Sequence, residues 1–443
     1  MIAQKNDFIF IAGVYYDTIR FNPTSFLSSP ANYSIFLAKF DLNGTLVWAK
    51  NYLGTGSTKQ CHGIAINSLN QICLTGRFKG VLNFDSHILT SSTANSAFLV
   101  KTDFNGNVIW AVNSTGTAPT PSSRAWGISF DQDNNELITG YLLQDISFGA
   151  TSFTNTGATG LSSYWAKFDS SGVCNWIKGV TGPSAFSPSY SIVSDSSNNV
   201  YVAGVMDTFL SIDGNNLDIA NGTFFYCKYS PSGNLIWVKQ TGNSNINVGQ
   251  APSYLLYQNE NAIWMSGWVA GDANFGPFTK TDTSMFLLKM DLNGNINEFT
   301  SPHINGSTYQ CAIDNEGGVY VGGEARGNFI SFSGDTIYYP NDTINGSIIF
   351  KYCSGQTGIS NPDNSYKLMI FPNPSTENLT IEIPNEISPH HIEITDAVGR
   401  KIFQSKNNLK SEIINLKSFS SGIYFLKVEF ENGDVAVQKF VKE

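Results

Sequence analysis

Two short patterns of hydrophobic and polar residues recur along most of the chain and predict its secondary structure. The first is FLAKFDLNGTLVWAK at residues 36–50, in which two apolar runs flank a polar turn that contains glycine. Such a pattern predicts a β-hairpin. Further copies begin at Phe98, Tyr164, Phe225, Phe286, where the tryptophan is missing, and Ile348, where only the first half is present.

The second pattern precedes each hairpin and predicts two more strands. It reads CHGIAINSLNQICLTG where it ends at Gly76: an apolar run, a turn rich in Asn and Ser, and a second run closed by glycine. The first unit has only the second half, DFIFIAG, ending at Gly13. The other copies end at Gly140, Gly204, Gly267 and Gly323.

The two patterns together make one unit of four strands that repeats about every 60 residues. The register is marked by Lys39, Lys101, Lys167, Lys228, Lys289 and Lys351, spaced 62, 66, 61, 61 and 62 residues apart. Four strands on this period are typical of a propeller blade, whereas a solenoid usually has shorter repeats with fewer strands. We therefore predict an all-β chain with a six-unit β-propeller at residues 1–353, whose first and last blades are incomplete.

The recurring side chains have predicted structural roles. We expect the six lysines to be scaffold residues, with their stems on apolar surface and their ammonium groups near solvent or a carboxylate. The tryptophans fit the wedge between blades better than the alternative, a sugar-stacking platform; they are Trp48, Trp110, Trp176 and Trp237. The aspartates that precede the hairpin glycine by three residues should cap a type I turn; they are Asp41, Asp103, Asp169 and Asp291.

Beyond Cys353 the composition changes. Residues 354–365 are small and polar and predict a linker. Residues 366–443 are richer in charge and hold short runs of alternating hydrophobicity such as LTIEI and GIYFLKVEF. This pattern predicts a small Ig-like β-sandwich.

The last 78 residues resemble the C-terminal sorting domain of type IX secretion substrates of Bacteroidetes. The resemblance begins at IFPNPSTENLTIEI and continues through ITDAVGRKIF and LKSFSSGIYFLKV to QKFVKE. It implies passage across the outer membrane, engagement of the type IX machinery by residues 366–443, and removal of the module afterwards. The matching motif residues are Pro372, Asn373, Pro374, Asp396, Gly399, Gly422, Tyr424, Lys439 and Lys442.

The repeats resemble the seven-bladed β-propeller repeat family, most clearly at residues 63–76 and 98–110. That resemblance implies a propeller on a secreted or surface protein and no fixed chemistry. The family name gives seven blades, whereas six units are counted in this chain.

Composition and charge narrow the function. Of the 443 residues 41% are hydrophobic and only 14% are charged, which is typical of an all-β extracellular protein. A net charge of −9 repels phosphate backbones and argues against nucleic-acid binding. No apolar run is long enough for a transmembrane helix. The six cysteines form no paired motif and are expected to be isolated buried thiols.

No catalytic or metal-binding residue is nominated. The turns at Asp131 and Asp195 have oxygen-rich spacing but lack the carboxylate that closes a calcium loop, so we expect plain hairpin turns and no cofactor. His62, His87 and His303 fall in no catalytic motif.

The prediction is a surface module that binds a protein or glycan through residues the sequence does not identify. The alternative is a secreted polysaccharide lyase or glycoside hydrolase with its site over the propeller channel. Carboxylate, histidine or tyrosine side chains converging there would favour the enzyme, and mixed polar loops would favour binding.

The two ends of the repeat region carry one more expectation. The first unit lacks a GIAI-like strand, the sixth lacks an LVWAK-like strand, and no signal peptide precedes Lys5. All three gaps would be explained if Met1 were an internal start.

Overall fold

The fold is taken from a computed structural model of the 443-residue chain. It divides into two compact units, Met1–Tyr352 and Cys353–Glu443. The structure describes the whole chain except residues 57, 118–121, 156–159, 183–185, 188, 207–208, 219, 221–222, 243–250, 259–261, 270, 282–283, 302–305, 314–317, 327–328, 333–334, 339–344, 354–368, 383–388, 397–399, 406–410 and 431–434. The predicted linker at 354–365 therefore lies outside the described residues.

The first unit is a β-propeller in which each sequence repeat forms one antiparallel sheet. The strands of the first three sheets and of the hairpin β11–β12 are β1 (Ile2–Lys5), β2 (Phe8–Arg20), β3 (Phe26–Asp41), β4 (Leu46–Tyr52), β5 (Lys59–Ile66), β6 (Ile72–Phe84), β7 (His87–Thr102), β8 (Val108–Asn113), β9 (Ser122–Phe130), β10 (Glu136–Leu143), β11 (Asp145–Phe148), β12 (Thr151–Thr154), β13 (Leu161–Phe168) and β14 (Cys174–Thr181). In each of these sheets the strands are ordered as they follow in the chain.

The next three sheets repeat this order. The strands that follow in the chain are β15 (Phe186–Ser187), β16 (Ser189–Ser194), β17 (Val200–Val205), β18 (Leu210–Ile212), β19 (Asn215–Leu217), β20 (Phe224–Tyr229), β21 (Leu235–Thr241), β22 (Ala251–Gln258), β23 (Ala262–Val269), β24 (Ala273–Phe275), β25 (Phe278–Lys280), β26 (Ser284–Asp291), β27 (Ile296–Thr300), β28 (Gly306–Ile313), β29 (Gly318–Arg326), β30 (Phe329–Phe332), β31 (Asp335–Tyr338) and β32 (Asn345–Cys353). Of these, β15 pairs in parallel with β13 and the hairpin β18–β19 pairs with β14, so both extend the third sheet, while β24–β25 and β30–β31 are separate hairpins. The first strands of successive sheets contact one another, from β1 through β5, β9, β16 and β22 to β28, and so form the inner edge around the axis.

One expectation about the ends of the repeats is wrong. The first unit does not lack its first strand, because β1 pairs with β2 from Ile2 opposite Ile11 to Lys5 opposite Phe8. The sequence hid this strand because IAQK is short and half polar, unlike the apolar GIAI of other units. In the sixth sheet the described strands are β28, β29 and β32, without the fourth.

The inner-edge strands carry a β-bulge at the same place in five of the six sheets, opposite the glycine that closes the second strand. On β5 the register passes from Cys61 to Gly63 and leaves His62 as the extra residue. A Cβ added at Gly76 would lie 1.9 Å from the Gln60 carbonyl oxygen, and one at Gly140 equally close to the Arg124 oxygen. The repeat needs glycine there because the bulge brings the neighbouring backbone too close for any side chain.

Tryptophans fill the wedge between sheets, as expected. Each of the four lies against the hairpin glycine of the following sheet; the pairs are Trp48 with Gly106, Trp110 with Gly172, Trp176 with Gly233 and Trp237 with Gly294. Trp110 and Trp176 also donate indole hydrogen bonds to Ser170 and Pro231 carbonyls, at 3.0 and 3.2 Å. These side chains belong to the core between blades, so they are not a sugar platform.

The wedge predicts a difference between two equivalent glycines. Gly44 and Gly172 both have a positive φ, +81° and +85°, but a Cβ at Gly44 meets nothing within 4 Å whereas one at Gly172 lies 2.9 Å from the Trp110 ring. We expect Gly44→Ala to cost about 1–2 kcal/mol of unfolding free energy. Gly172→Ala should cost about 1–3 kcal/mol more because it also overpacks the wedge.

Denaturant unfolding followed by tryptophan fluorescence measures both variants, and it reports on the propeller alone because all eight tryptophans lie in the first unit. Equal losses for the two substitutions would contradict the tight wedge.

The recurring lysines hold the blades together and do not converge on one site. Lys101 Nζ lies 2.6 Å from Glu136 Oε1 across the second and third sheets, with both side chains almost fully buried. Lys167 pairs with Asp131 at 2.7 Å and Lys228 with Asp195 at 3.4 Å, each within its own sheet. Both ammonium groups also donate to a backbone carbonyl of the following sheet, Pro231 at 3.5 Å and Leu292 at 3.2 Å. The ammonium group of Lys39 instead lies 3.8 and 3.9 Å from the ring centroids of Phe8 and Phe104. The scaffold role expected of the recurring lysines is confirmed for these four.

The second unit is a sandwich of two sheets. The sheet orders are β33–β34–β37 and β36–β35–β38–β39. Their inner faces share one core that includes Leu379, Ile394, Leu426 and Phe440. The strands are β33 (Met369–Phe371), β34 (Asn378–Glu382), β35 (Pro389–Asp396), β36 (Lys401–Ser405), β37 (Ser411–Asn415), β38 (Gly422–Phe430) and β39 (Val435–Lys442).

Candidate functional site

The bulges on the inner edge bring three different side chains together. The extra residues on β5, β9 and β16 are His62, Trp126 and Tyr190. The His62 imidazole stacks on the Trp126 indole with ring centroids 4.4 Å apart and planes 6° apart. Tyr190 meets the same indole edge to face at 5.3 Å. Three successive blades thus contribute to one aromatic surface beside the axis.

Two arginines complete this group, which we call the axial cluster: His62, Arg77, Arg124, Trp126, Tyr141 and Tyr190. The Arg124 guanidinium lies 5.4 Å from the Trp126 ring centroid and 4.7 Å from that of Tyr141, its cross-strand partner on β10. Arg77 on β6 donates from Nε to Gln60 Oε1 at 2.6 Å. All six side chains are partly exposed, so a molecule at the inner edge can reach them.

The cluster is positively charged at neutral pH. Burial, together with Arg124 and Arg77, lowers the pKa of His62 to about 3, which keeps the imidazole neutral. Burial raises the pKa of Tyr190 to about 12, so its hydroxyl keeps its proton. The described residues place no carboxylate in an ion pair with either arginine. The two guanidinium groups therefore carry the charge of the site.

The cluster can stack on a flat apolar ring face and donate hydrogen bonds to oxygens. The sequence named His62 as one of three histidines and assigned it no role, and the other five residues were missed. A signal was present: the position before the small residue of GIAI holds His, Trp and Tyr in successive units, while its neighbours stay similar. Variable large residues beside an invariant framework are typical of a recognition surface.

The two turns with oxygen-rich spacing, at Asp131 and Asp195, are closed by their own aspartate side chains. Asp131 Oδ1 accepts from the backbone N–H groups of Asp133 and Asn135, at 3.0 and 2.9 Å, while Oδ2 pairs with Lys167. Asp195 caps its own turn in the same way and pairs with Lys228. In the part of the chain that the structure describes, no group of three or more His, Cys, Asp or Glu side chains could hold a metal ion.

The cysteines with described side chains are unpaired, as expected; they are Cys61, Cys73, Cys174, Cys227 and Cys311.

The sorting motif residues lie in two places on the sandwich. Around Pro372 and Pro374, Asn373 joins the motif to the last strand: its Oδ1 accepts from Val441 N–H at 2.9 Å, and its Nδ2 donates to the Lys439 carbonyl at 3.3 Å. A short parallel bridge between Ser375 and Lys442 continues this contact. The opening motif therefore fixes the C-terminal strand.

Three other motif residues, Asp396, Gly422 and Tyr424, line a pocket of about 350 Å³. Asp396 and Tyr424 are cross-strand partners, and Gly422 begins the same strand as the tyrosine. The Tyr424 hydroxyl donates to the Ser420 carbonyl at 2.8 Å, and Asp396 binds Arg400 Nε at 2.7 Å. Gly399 lies outside the described residues.

Residues 369–443 match the family described as the secretion system C-terminal sorting domain. The chain is thus a β-propeller repeat protein that carries a type IX sorting domain, and it is exported to the cell surface or beyond. In the described part of the chain no helix could span a membrane.

Other comparisons give more distant likenesses. A stretch of 173 residues is 27% identical to an uncharacterized WD repeat-containing protein of Acanthamoeba polyphaga mimivirus, covering 32% of this chain and about 12% of that relative's length. PorZ, described as an essential bacterial surface component of the type IX secretion system of Porphyromonas gingivalis, is 12% identical with a TM-score of 0.36, covering 100% of this chain and 59% of PorZ.

A structure described as a polysaccharide lyase of family PL25, an ulvan lyase, is 9% identical with a TM-score of 0.30, over 99% of this chain and 90% of the lyase. Likenesses this remote carry no argument about function.

Proposed function

We propose that this surface protein is a binding module that recognises a glycan at the axial cluster. The observation that supports the proposal is the parallel stack of His62 on Trp126, held on β-bulges and bordered by Tyr190 and Arg124. Sugar rings present flat apolar faces with hydroxyls at the rim, and an aromatic surface edged by donors complements both. Rigid aromatic and arginine side chains are also those that dominate binding energy at recognition sites.

Glycan array screening followed by titration calorimetry on the full chain tests this proposal. Trp126→Ala should weaken glycan binding at least about tenfold because it removes the central ring of the surface. Tyr33→Ala is the matched control, since Tyr33 is a solvent-exposed aromatic on the first sheet away from the cluster. Equal losses for both variants, or a glycan that binds Trp126→Ala unchanged, would place the site elsewhere.

The second candidate is a polysaccharide lyase, and the grouping of His62, Tyr141 and Tyr190 around the Trp126 ring favours it. Lyase chemistry needs a base at the sugar carbon, whereas the pKa values of His62 and Tyr190 leave one weakly basic and the other protonated at neutral pH. We therefore place binding first. Unsaturated uronate products, followed by their ultraviolet absorbance, would reverse the order if they appeared with the wild type and vanished with Tyr190→Phe.

For export, we propose that residues 366–443 engage the secretion machinery and that 1–353 form the delivered propeller, joined by the linker at 354–365. The pocket bordered by Asp396, Gly422 and Tyr424 supports a recognition role for residues 366–443, because motif residues that are far apart in sequence lie together there. Lys439, which is exposed, and Lys442, which is partly exposed, place two positive charges on the last strand of residues 366–443.

A further inference from the structure

We propose, on the basis of the glycan site proposed above, that the axial cluster takes an acidic sugar. Its carboxylate or sulfate group would be bound by Arg77 and Arg124 while its ring packs on Trp126.

The first argument is the placing of the two guanidinium groups. Arg77 on the second sheet lies opposite Gln60, two residues before the bulged His62, and Arg124 on the third sheet lies two residues before the bulged Trp126 that stacks on His62. Burial lowers the pKa of Arg124, and the charge of Arg77 lowers it further. Two positive charges close enough to affect each other repel unless an anion lies near them. Three buried lysines of the propeller, Lys101, Lys167 and Lys228, each have a carboxylate partner. In the described residues these two arginines have no acidic partner.

The second argument is unused hydrogen-bonding capacity. Arg124 Nε and His62 Nε2 are both inaccessible to solvent and have no hydrogen-bond partner within the described residues. Buried polar atoms in folded proteins are nearly always paired. A small rotation of the His62 or Arg124 side chain, both partly exposed, would bring such an atom to a ligand oxygen and supply the missing hydrogen bond. Arginine suits carboxylates and sulfates because its fork can bind two oxygens at once.

The third argument is selectivity within an acidic protein. The whole chain carries a net charge of −9, so a general attraction for polyanions is absent. A positive patch confined to two arginines beside a stacked Trp126 and His62 selects a single anionic group attached to a ring. Acidic glycans have that combination, whereas acidic peptides lack a ring beside each carboxylate.

The test compares matched ligands on the full chain by titration calorimetry. The probes are polygalacturonate and its methyl ester, dextran sulfate and dextran, and poly-glutamate. We expect tighter binding to at least one acidic glycan than to its neutral counterpart, by at least about tenfold. Arg124→Gln and Arg77→Gln should each reduce that preference about tenfold. Added salt should weaken the binding of the acidic ligands and leave the binding of the neutral ligands unchanged.

The control variant is Lys178→Gln, which removes a partly exposed cation from the third sheet, the sheet that also carries Arg124. It should leave the preference unchanged, and Arg124→Lys should keep more of it than Arg124→Gln. The unfolding transition measured by tryptophan fluorescence shows whether each variant is folded. If Arg124→Gln does not fold, Arg77→Gln alone tests the inference.

Four outcomes would overturn the inference: equal binding of acidic and neutral glycans, a preference that both arginine variants retain, equal loss for Lys178→Gln, or binding of poly-glutamate as tight as that of polygalacturonate. In the first two cases the glycan site itself survives if Trp126→Ala still weakens binding. If no glycan binds the wild type in the array or the titrations, the proposed function fails with the inference.

Discussion

Lys101→Met is expected to destabilise the propeller more than any other single change considered for this chain, by about 3–5 kcal/mol at pH 8. Lys101 and Glu136 are paired at 2.6 Å with almost no solvent exposure. Removing the lysine leaves a buried carboxylate without a partner, and its charged form is then destabilised by the loss of solvation. Burial already raises the pKa of Glu136 to about 7 although Lys101 lowers it, so loss of Lys101 raises the pKa further.

The sign of the pH dependence follows. An acid whose pKa is higher in the folded than in the unfolded state favours folding at low pH, and that contribution is lost as the pH rises through the folded pKa. The defect in Lys101→Met should therefore be smaller at pH 5, where Glu136 is protonated, than at pH 8. Denaturant unfolding followed by tryptophan fluorescence at the two pH values measures the difference.

Lys178→Met is the matched control, because the Lys178–Asp213 pair is longer, 3.5 Å, and about one third exposed. It should cost less than about 1 kcal/mol at either pH. The double variant Lys101→Met with Glu136→Leu should recover most of the loss, since an apolar pair can replace a buried ion pair. A pH-independent defect, or no recovery in the double variant, would contradict the ion-pair account.

Deletion of residues 366–443 is expected to abolish export and leave the propeller folded. The sandwich has its own core, and the first unit has cores between its own sheets. In a type IX-competent Bacteroidetes host the truncated protein should stay inside the cell, with the same tryptophan unfolding midpoint as the full chain. The readouts are immunoblots of cell, surface and medium fractions, and unfolding of the purified protein.

Lys417→Ala controls for any change to the sandwich, because Lys417 and its partner Glu377 are both well exposed. It should be exported normally. Normal export of the truncated protein would show that the sorting residues are dispensable. Loss of its unfolding transition would show that the propeller depends on the second unit.

The framework of the fold was readable from the sequence because each repeat uses the same local rules. The hairpin turns follow from an aspartate that caps its own turn, as when Asp103 accepts from Asn105 and Asn107 N–H groups at 2.8 Å. The sites of Trp110 and Lys101 at the blade interfaces follow from their recurrence. The first strand was missed because IAQK does not share the apolar pattern of its equivalents.

The axial cluster was not predicted, and the reason is geometric. Arg77 and Arg124 lie on different sheets, and Trp126 meets His62 only because each occupies a bulge. Alternation along a strand gives no sign of a bulge, since the extra residue reads as one more strand position. The sequence showed the glycine opposite each bulge as the end of a strand. It did not show why glycine is needed, because that depends on the close approach of the neighbouring strand's backbone.

The bulge and its glycine also separate stability from specificity within each repeat. The glycine is fixed by its neighbour's carbonyl oxygen, whereas the bulged residue beside it differs from blade to blade as His62, Trp126 and Tyr190. A new side chain at a bulge changes the surface at the inner edge of the propeller. It leaves unchanged the backbone hydrogen bonds between the strands that support it. Single substitutions can therefore give this scaffold new ligands, one blade at a time, both in evolution and in the design of binding proteins.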